Sequence, residues 1–163
     1  GSEMCIRDSS YNGWGDVLVI IFFGFVPVGG TYYVQALTWT PDVTIASFIC
    51  GLLIDTLLVV NNYRDREADA RSGKRTVIVR FGEKFGRYFY LLLGISASLL
   101  CLYFLREGHI YAALLPQLYL VPHVLTWRRM VKIHSGKKLN SILGETSRNM
   151  LFMGILLAIG MIL

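Results

Sequence analysis

Between Val17 and Leu37 the chain runs for 21 residues without an Asp, Glu, Lys or Arg. As an α-helix, such a run crosses about 30 Å of hydrocarbon. Further apolar runs come after it. Val43 to Val60 is apolar except for Asp55, and Tyr88 to Leu105 gives 18 uncharged residues. A run from about His109 to Trp127 contains Pro116 and Pro122, which predict a bent helix. The last, Asn149 to Leu163, has 15 residues and reaches span length if it begins near Ile142 and carries Glu145 and Arg148 at its entry. The expected fold is all-α, a multi-pass transmembrane bundle with about five membrane helices.

Composition agrees: 54% of residues are hydrophobic and 17% charged, with a mean hydropathy of +0.51, too apolar for an ordinary soluble domain. The first ten residues, GSEMCIRDSS, lack the apolar core of a signal peptide and any pattern shared with the rest of the chain. They read as a non-native leader, and residues 11–163 as the C-terminal part of a membrane domain. Cys5, Cys50 and Cys101 have no pairing or metal-clip spacing, so they read as packing residues.

Charge sets the orientation. Residues 64–87 hold eight Lys or Arg and residues 128–138 hold five, whereas the connections at 38–42 and 106–108 hold none and one. The positive-inside rule puts both basic stretches on the cytoplasmic side; the membrane expected is the plasma (inner) membrane. The formal net charge of +5 is explained by topology, and no nucleic-acid motif accompanies it.

The polar stretch NNYRDREADARSGKRTVIVR, residues 61–80, interrupts this apolar pattern. Pro41 suits the first turn of a helix that runs without a breaker from Val43 to Asp69, and Ser72 with Gly73 supplies the stop. Lys74 to Gly86 reads as a basic, partly apolar loop. Asn61, Asp65 and Asp69 recur every four residues, so three oxygen-bearing side chains share a helical stripe at the membrane surface. Two carboxylates at that spacing suit Mg²⁺, which keeps several waters and is completed by substrate phosphates. Arg64, Arg66, Arg71, Lys74 and Arg75 stand close by to neutralise diphosphate oxygens. The plainer reading is a solvated loop whose acids and bases pair at i, i+4.

Asp55 is an acid inside a span, and such residues mark function or a buried partner. It stands about 15 Å before Asp65 and about 80° off the stripe. His109, His123 and His134 lack ligand-like partners at i+3 or i+4 and read as structural or interfacial. Tyr32, Tyr33, Trp39, Tyr103, Tyr111 and Trp127 fall near span ends, as interfacial belt residues do.

The segment NNYRDREADARSGKRTVIVRFG resembles the second aspartate motif and following loop of the UbiA superfamily of intramembrane aromatic prenyltransferases. With GWGDVLVIIFFGFVPVGGTYYVQ and LNSILGETSRNMLFMGILLAIGMIL, it is most similar to the branch acting on 1,4-dihydroxy-2-naphthoate in menaquinone synthesis. The resemblance implies a nine-helix bundle with a central cavity, and two aspartate motifs that bind Mg²⁺ and a polyprenyl diphosphate. It implies metal-binding and catalytic roles for Asp65 and Asp69, a metal-side role for Asn61, and diphosphate contacts for Lys74, Arg75 and Arg71. Asn62, Arg64 and Asp55 are secondary candidates. The implied reaction joins the prenyl group to the aromatic acceptor with loss of diphosphate and CO₂. Another acceptor, such as 4-hydroxybenzoate or homogentisate, is the first alternative; a non-enzymatic membrane subunit or transporter is the second. The resemblance covers the family's five C-terminal helices without the first aspartate motif, so the chain expressed alone is expected to be inactive.

Overall fold

The computed structural model describes residues 14–163. The expected leader, residues 1–10, lies outside them. Among the described residues the secondary structure is helical, with no strand. In chain order we label α1 (Gly15–Ala36), α2 (Pro41–Arg71), α3 (Val77–Phe81), α4 (Glu83–Leu105), α5 (Ile110–Leu114), α6 (Leu120–Ile133) and α7 (Lys137–Ile162).

Four of these, α1, α2, α4 and α7, are long and apolar enough to cross a membrane. The run expected as another span is split. Leu115–Tyr119 is a 3₁₀ segment between α5 and α6, and Pro116 lies in its first turn. A proline ring removes an N–H and crowds the preceding turn, so the predicted bend takes the form of a tighter helical stretch.

Helix α2 is the axis of the fold. Thr40 caps it, its Oγ1 accepting from the Val43 N–H at 3.3 Å, and Pro41 fills the first turn as expected. At 31 residues it is about 46 Å long, so its polar end extends beyond one hydrocarbon thickness. The predicted stop is present: Gly73 takes φ +78°, and the Lys74 N–H returns to the Asp69 carbonyl at 3.0 Å. The segment expected as a loop differs. Thr76 Oγ1 caps a single-turn helix, α3, by accepting from the Val79 N–H, and α4 begins at Glu83.

Helix α1 is distorted in its middle. Residues Ile20–Gly29 wind as a π-helix around Pro27, which has no N–H to give. Phe23, four residues earlier, offers its carbonyl instead to Cys50 Sγ on α2, at 3.6 Å. Cys50 is therefore more than filler.

Between helices in lipid there is little hydrophobic drive, and close packing of small residues replaces it. A Cβ on Gly24 would strike the Ser47 carbonyl oxygen and lie 2.9 Å from Gly51 Cα, so α1 and α2 touch backbone to backbone. Two clusters fill the interior. One gathers Ile49, Leu53, Cys101, Phe104, Tyr119 and Met153. The other lies under the polar end of α2 and gathers Val59, Val60, Tyr63, Tyr90, Met130 and Ile142.

The histidine expectations divide. His123 is buried between Tyr90 and Tyr119, bonded to the Tyr119 hydroxyl at 2.9 Å, which is the structural role expected of it. His134 instead joins a polar network centred on Glu83.

Candidate functional site

The two basic stretches meet at one end of the bundle. Arg66 Nη2 donates to the His134 carbonyl at 3.0 Å, and Arg64 Nη1 donates to Asn140 Oδ1 at 2.9 Å. The second contact joins residues 76 apart in sequence and ties the polar end of α2 to the start of α7.

Arg64 organises the upper part of the stripe. Its Nε and Nη2 donate to Asp65 Oδ1 and Oδ2 at 2.7 and 2.6 Å, and Nη2 also donates to Asn61 Oδ1 at 2.7 Å. Four oxygens, from Asn61, Asp65 and Asn140, thus converge on one planar cation. That donor set is the chemistry a hard divalent cation takes: carboxylate and amide oxygens on a charged surface. Asn140 had no signal in the sequence, because its place depends on how α7 returns to α2.

Asp69 stands apart from this group. It is buried, and Lys74 Nζ lies 3.3 Å from its Oδ1. The stripe of three is therefore divided, with Asn61 and Asp65 on Arg64 and Asp69 on Lys74. Arg71 and Arg75 are exposed beside it. Among the described residues no three His, Cys, Asp or Glu side chains form a metal cluster.

A cavity of about 180 Å³ opens at this end, between the start of α1 and the end of α2. Asp16, Leu58, Asn61, Asn62, Lys74 and Thr76 line it. Asp16 is buried, and Asp55 is buried deeper, facing it. Apart from the contact between the two carboxyls, no donor reaches Asp16 Oδ1 or either Asp55 carboxyl oxygen. The sequence pattern singles out Asp55 but not Asp16. A cue was present: Asp16 and Asn61 stand equally far on either side of residues 38 and 39, so an antiparallel hairpin brings them level.

A second polar network steadies the site from the side. Glu83 accepts from the Tyr63 hydroxyl at 2.9 Å and pairs with Arg87, with Arg66 at 3.5 Å and with His134 at 3.3 Å. The Arg66 guanidinium also lies 4.5 Å over the Tyr63 ring. Tyr63 and Arg66 of α2 are thereby tied to the start of α4, on either side of the Arg64–Asp65 pair in the chain.

One turn of α2 below Leu58, Ile54 lines an apolar groove of about 310 Å³. Val28, Ile49, Leu53, Met153 and Leu157 complete most of its wall, from α1, α2 and α7. Polar cavity and apolar groove therefore succeed one another down the same helix.

Comparison with known proteins identifies relatives of the chain. The chain is 41% identical over 96 residues to the 1,4-dihydroxy-2-naphthoate octaprenyltransferase of Escherichia coli (strain K12), covering 59% of the chain and 31% of that protein. The Mycobacterium leprae (strain TN) protein of the same name is 41% identical over 92 residues, 55% of the chain and 31% of that protein. The UbiA prenyltransferase domain-containing protein 1 of Dictyostelium discoideum is 29% identical over 158 residues, 94% of the chain and 45% of that protein. The chain thus spans less than half the length of these relatives. No solved structure matches it. The profile of the UbiA prenyltransferase family matches residues 9–162, and the chain belongs to that family.

Proposed function

We propose that the full-length protein transfers a polyprenyl group from polyprenyl diphosphate to 1,4-dihydroxy-2-naphthoate, releasing diphosphate and CO₂ and forming demethylmenaquinone at its hydroquinone (quinol) level. The observation that carries this reading is the convergence of Asn61, Asp65 and Asn140 oxygens on a single cation beside Lys74 and a polar cavity. The names of the relatives in Escherichia coli and Mycobacterium leprae support the choice of acceptor.

In this reading Asn61, Asp65 and Asp69 hold Mg²⁺, whose positive charge, when bound, stabilises the departing diphosphate. Lys74, Arg71 and Arg75 bind the diphosphate oxygens, Arg by its fork and Lys as a compact charge. The apolar groove on α2 takes the first units of the polyprenyl tail, which places the allylic carbon near Leu58 at the cavity floor. The cavity walls hold the aromatic ring against that carbon and keep bulk water from the allylic cation. The chain lies in the plasma membrane with both basic stretches on the cytoplasmic side.

The test is an acceptor panel on the full-length protein with Mg²⁺ and a polyprenyl diphosphate. Prenylated dihydroxynaphthoate is the expected product; turnover of 4-hydroxybenzoate or homogentisate alone would overturn the acceptor assignment.

A further inference from the structure

We propose that Asp16 and Asp55 form an acceptor-recognition pair: Asp16 takes a hydrogen bond from a ring hydroxyl of the aromatic substrate, and Asp55 positions Asp16. The inference rests on the prenyl-transfer reading and extends it to two residues of α1 and α2 outside the aspartate stripe.

Asp16 lines the polar cavity and is only 8% exposed, yet its Oδ1 is buried without a donor. Asp55 is 0% exposed and lies behind it, close enough for the two carboxyls to share a proton, and no donor other than Asp16 is aimed at either of its oxygens. Buried acceptors are almost always satisfied, and those that are not mark an absent partner or a chemical task. No arginine or lysine forms an ion pair with either residue among the described residues, so the pair is not a structural salt bridge.

Chemistry narrows the partner. Two facing carboxyls repel a diphosphate and attract an O–H donor. Asn61 and Lys74 mark the side of the cavity toward the metal and diphosphate, and Asn62 beside them offers an amide that suits the other hydroxyl of a hydroxylated aromatic acid. At about 180 Å³ the cavity is smaller than ordinary drug-sized pockets and admits a ring system, not a polyprenyl chain. A site built to bond a substrate hydroxyl also rejects analogues that lack it, because its own polar groups are then left unpaired. Asp16 therefore acts on acceptor choice, and Asp55 works through it.

The experiment uses full-length protein carrying Asp16→Asn, Asp16→Ala or Asp55→Asn. The acceptor and donor KM values are measured separately, and dihydroxynaphthoate binding is read by its own fluorescence without donor. The dimethoxy analogue, which has no O–H, is the comparison probe. Wild type is expected to prefer the dihydroxy ring by about tenfold or more, with that preference largely lost in Asp16→Ala, intermediate in Asp16→Asn, and the donor KM unchanged. Asp55→Asn is expected to weaken acceptor binding less than Asp16→Ala does. Retained donor KM shows that each variant is folded. The inference is overturned if Asp16→Ala binds both rings as wild type does, or if its defect appears in the diphosphate KM or the Mg²⁺ requirement instead. If wild type itself neither binds nor prenylates dihydroxynaphthoate, the functional reading fails and takes this inference with it.

Discussion

Arg64 forks onto its own neighbour in the chain, Asp65, with Nε–Oδ1 and Nη2–Oδ2 distances of 2.7 and 2.6 Å. Adjacent residues on a helix point about 100° apart, so this pairing requires the long arginine stem to curl back across the stripe. In doing so it places one positive charge among four oxygens. Arg64 holds the carboxylate in position and competes with any other cation for it.

Replacing Arg64 by Gln removes that competitor. The Mg²⁺ concentration giving half-maximal turnover is expected to fall by about three- to tenfold, since the pair is partly exposed and charge-assisted bonds there are screened. A magnesium titration of prenyl transfer measures it; an increased requirement would show that Arg64 supports the metal instead of opposing it.

Glu83 is the common partner of Tyr63, Arg66, Arg87 and His134. Glu83→Gln leaves two guanidinium groups near each other without their counter-charge. Loss of about 1–2 kcal/mol of stability is expected, discounted for the partial exposure of the carboxylate. Thermal unfolding in detergent and faster proteolysis between residues 72 and 82 are the readouts. Wild-type behaviour in both would mean that the network does not hold the end of α2 to the start of α4.

The α1–α2 contact makes a steric prediction. Gly24→Ala sets a methyl group against the Ser47 carbonyl and is expected to cost about 1–3 kcal/mol. Gly144→Ala in α7 meets nothing within 4 Å and is expected to be neutral or slightly stabilising. Paired melting curves test the contrast, which disappears if α1 and α2 do not approach at Gly24.

The range of each interaction decides how far it was legible in the sequence. Helix α2, its Pro41 first turn and its Ser72–Gly73 stop are local chemistry, and all are present; the Thr40 cap was not foreseen. The aspartate stripe was legible from the 3.6-residue period, but its division between Arg64 and Lys74 was not, because side-chain reach sets it. Val77, Ile78 and Val79 gave no helical signal, and the turn of α3 owes its existence to the Thr76 cap and to Ile78 packing in the core. Asn140 and Asp16 enter the site by way of helix return, 76 and 45 residues in sequence from Arg64 and Asn61 respectively, where periodicity carries no information.

The central claim is that the carboxylates at the polar end of α2 serve magnesium-dependent diphosphate departure. Substituting Asp65 and Asp69 by Asn, singly and together, in the full-length protein tests it most directly. Each change preserves size and removes a charge. Prenyl transfer with saturating substrates is expected to fall by about two orders of magnitude or more, with the melting temperature little changed. Unaltered Mg²⁺-dependent turnover in the double variant would contradict the account.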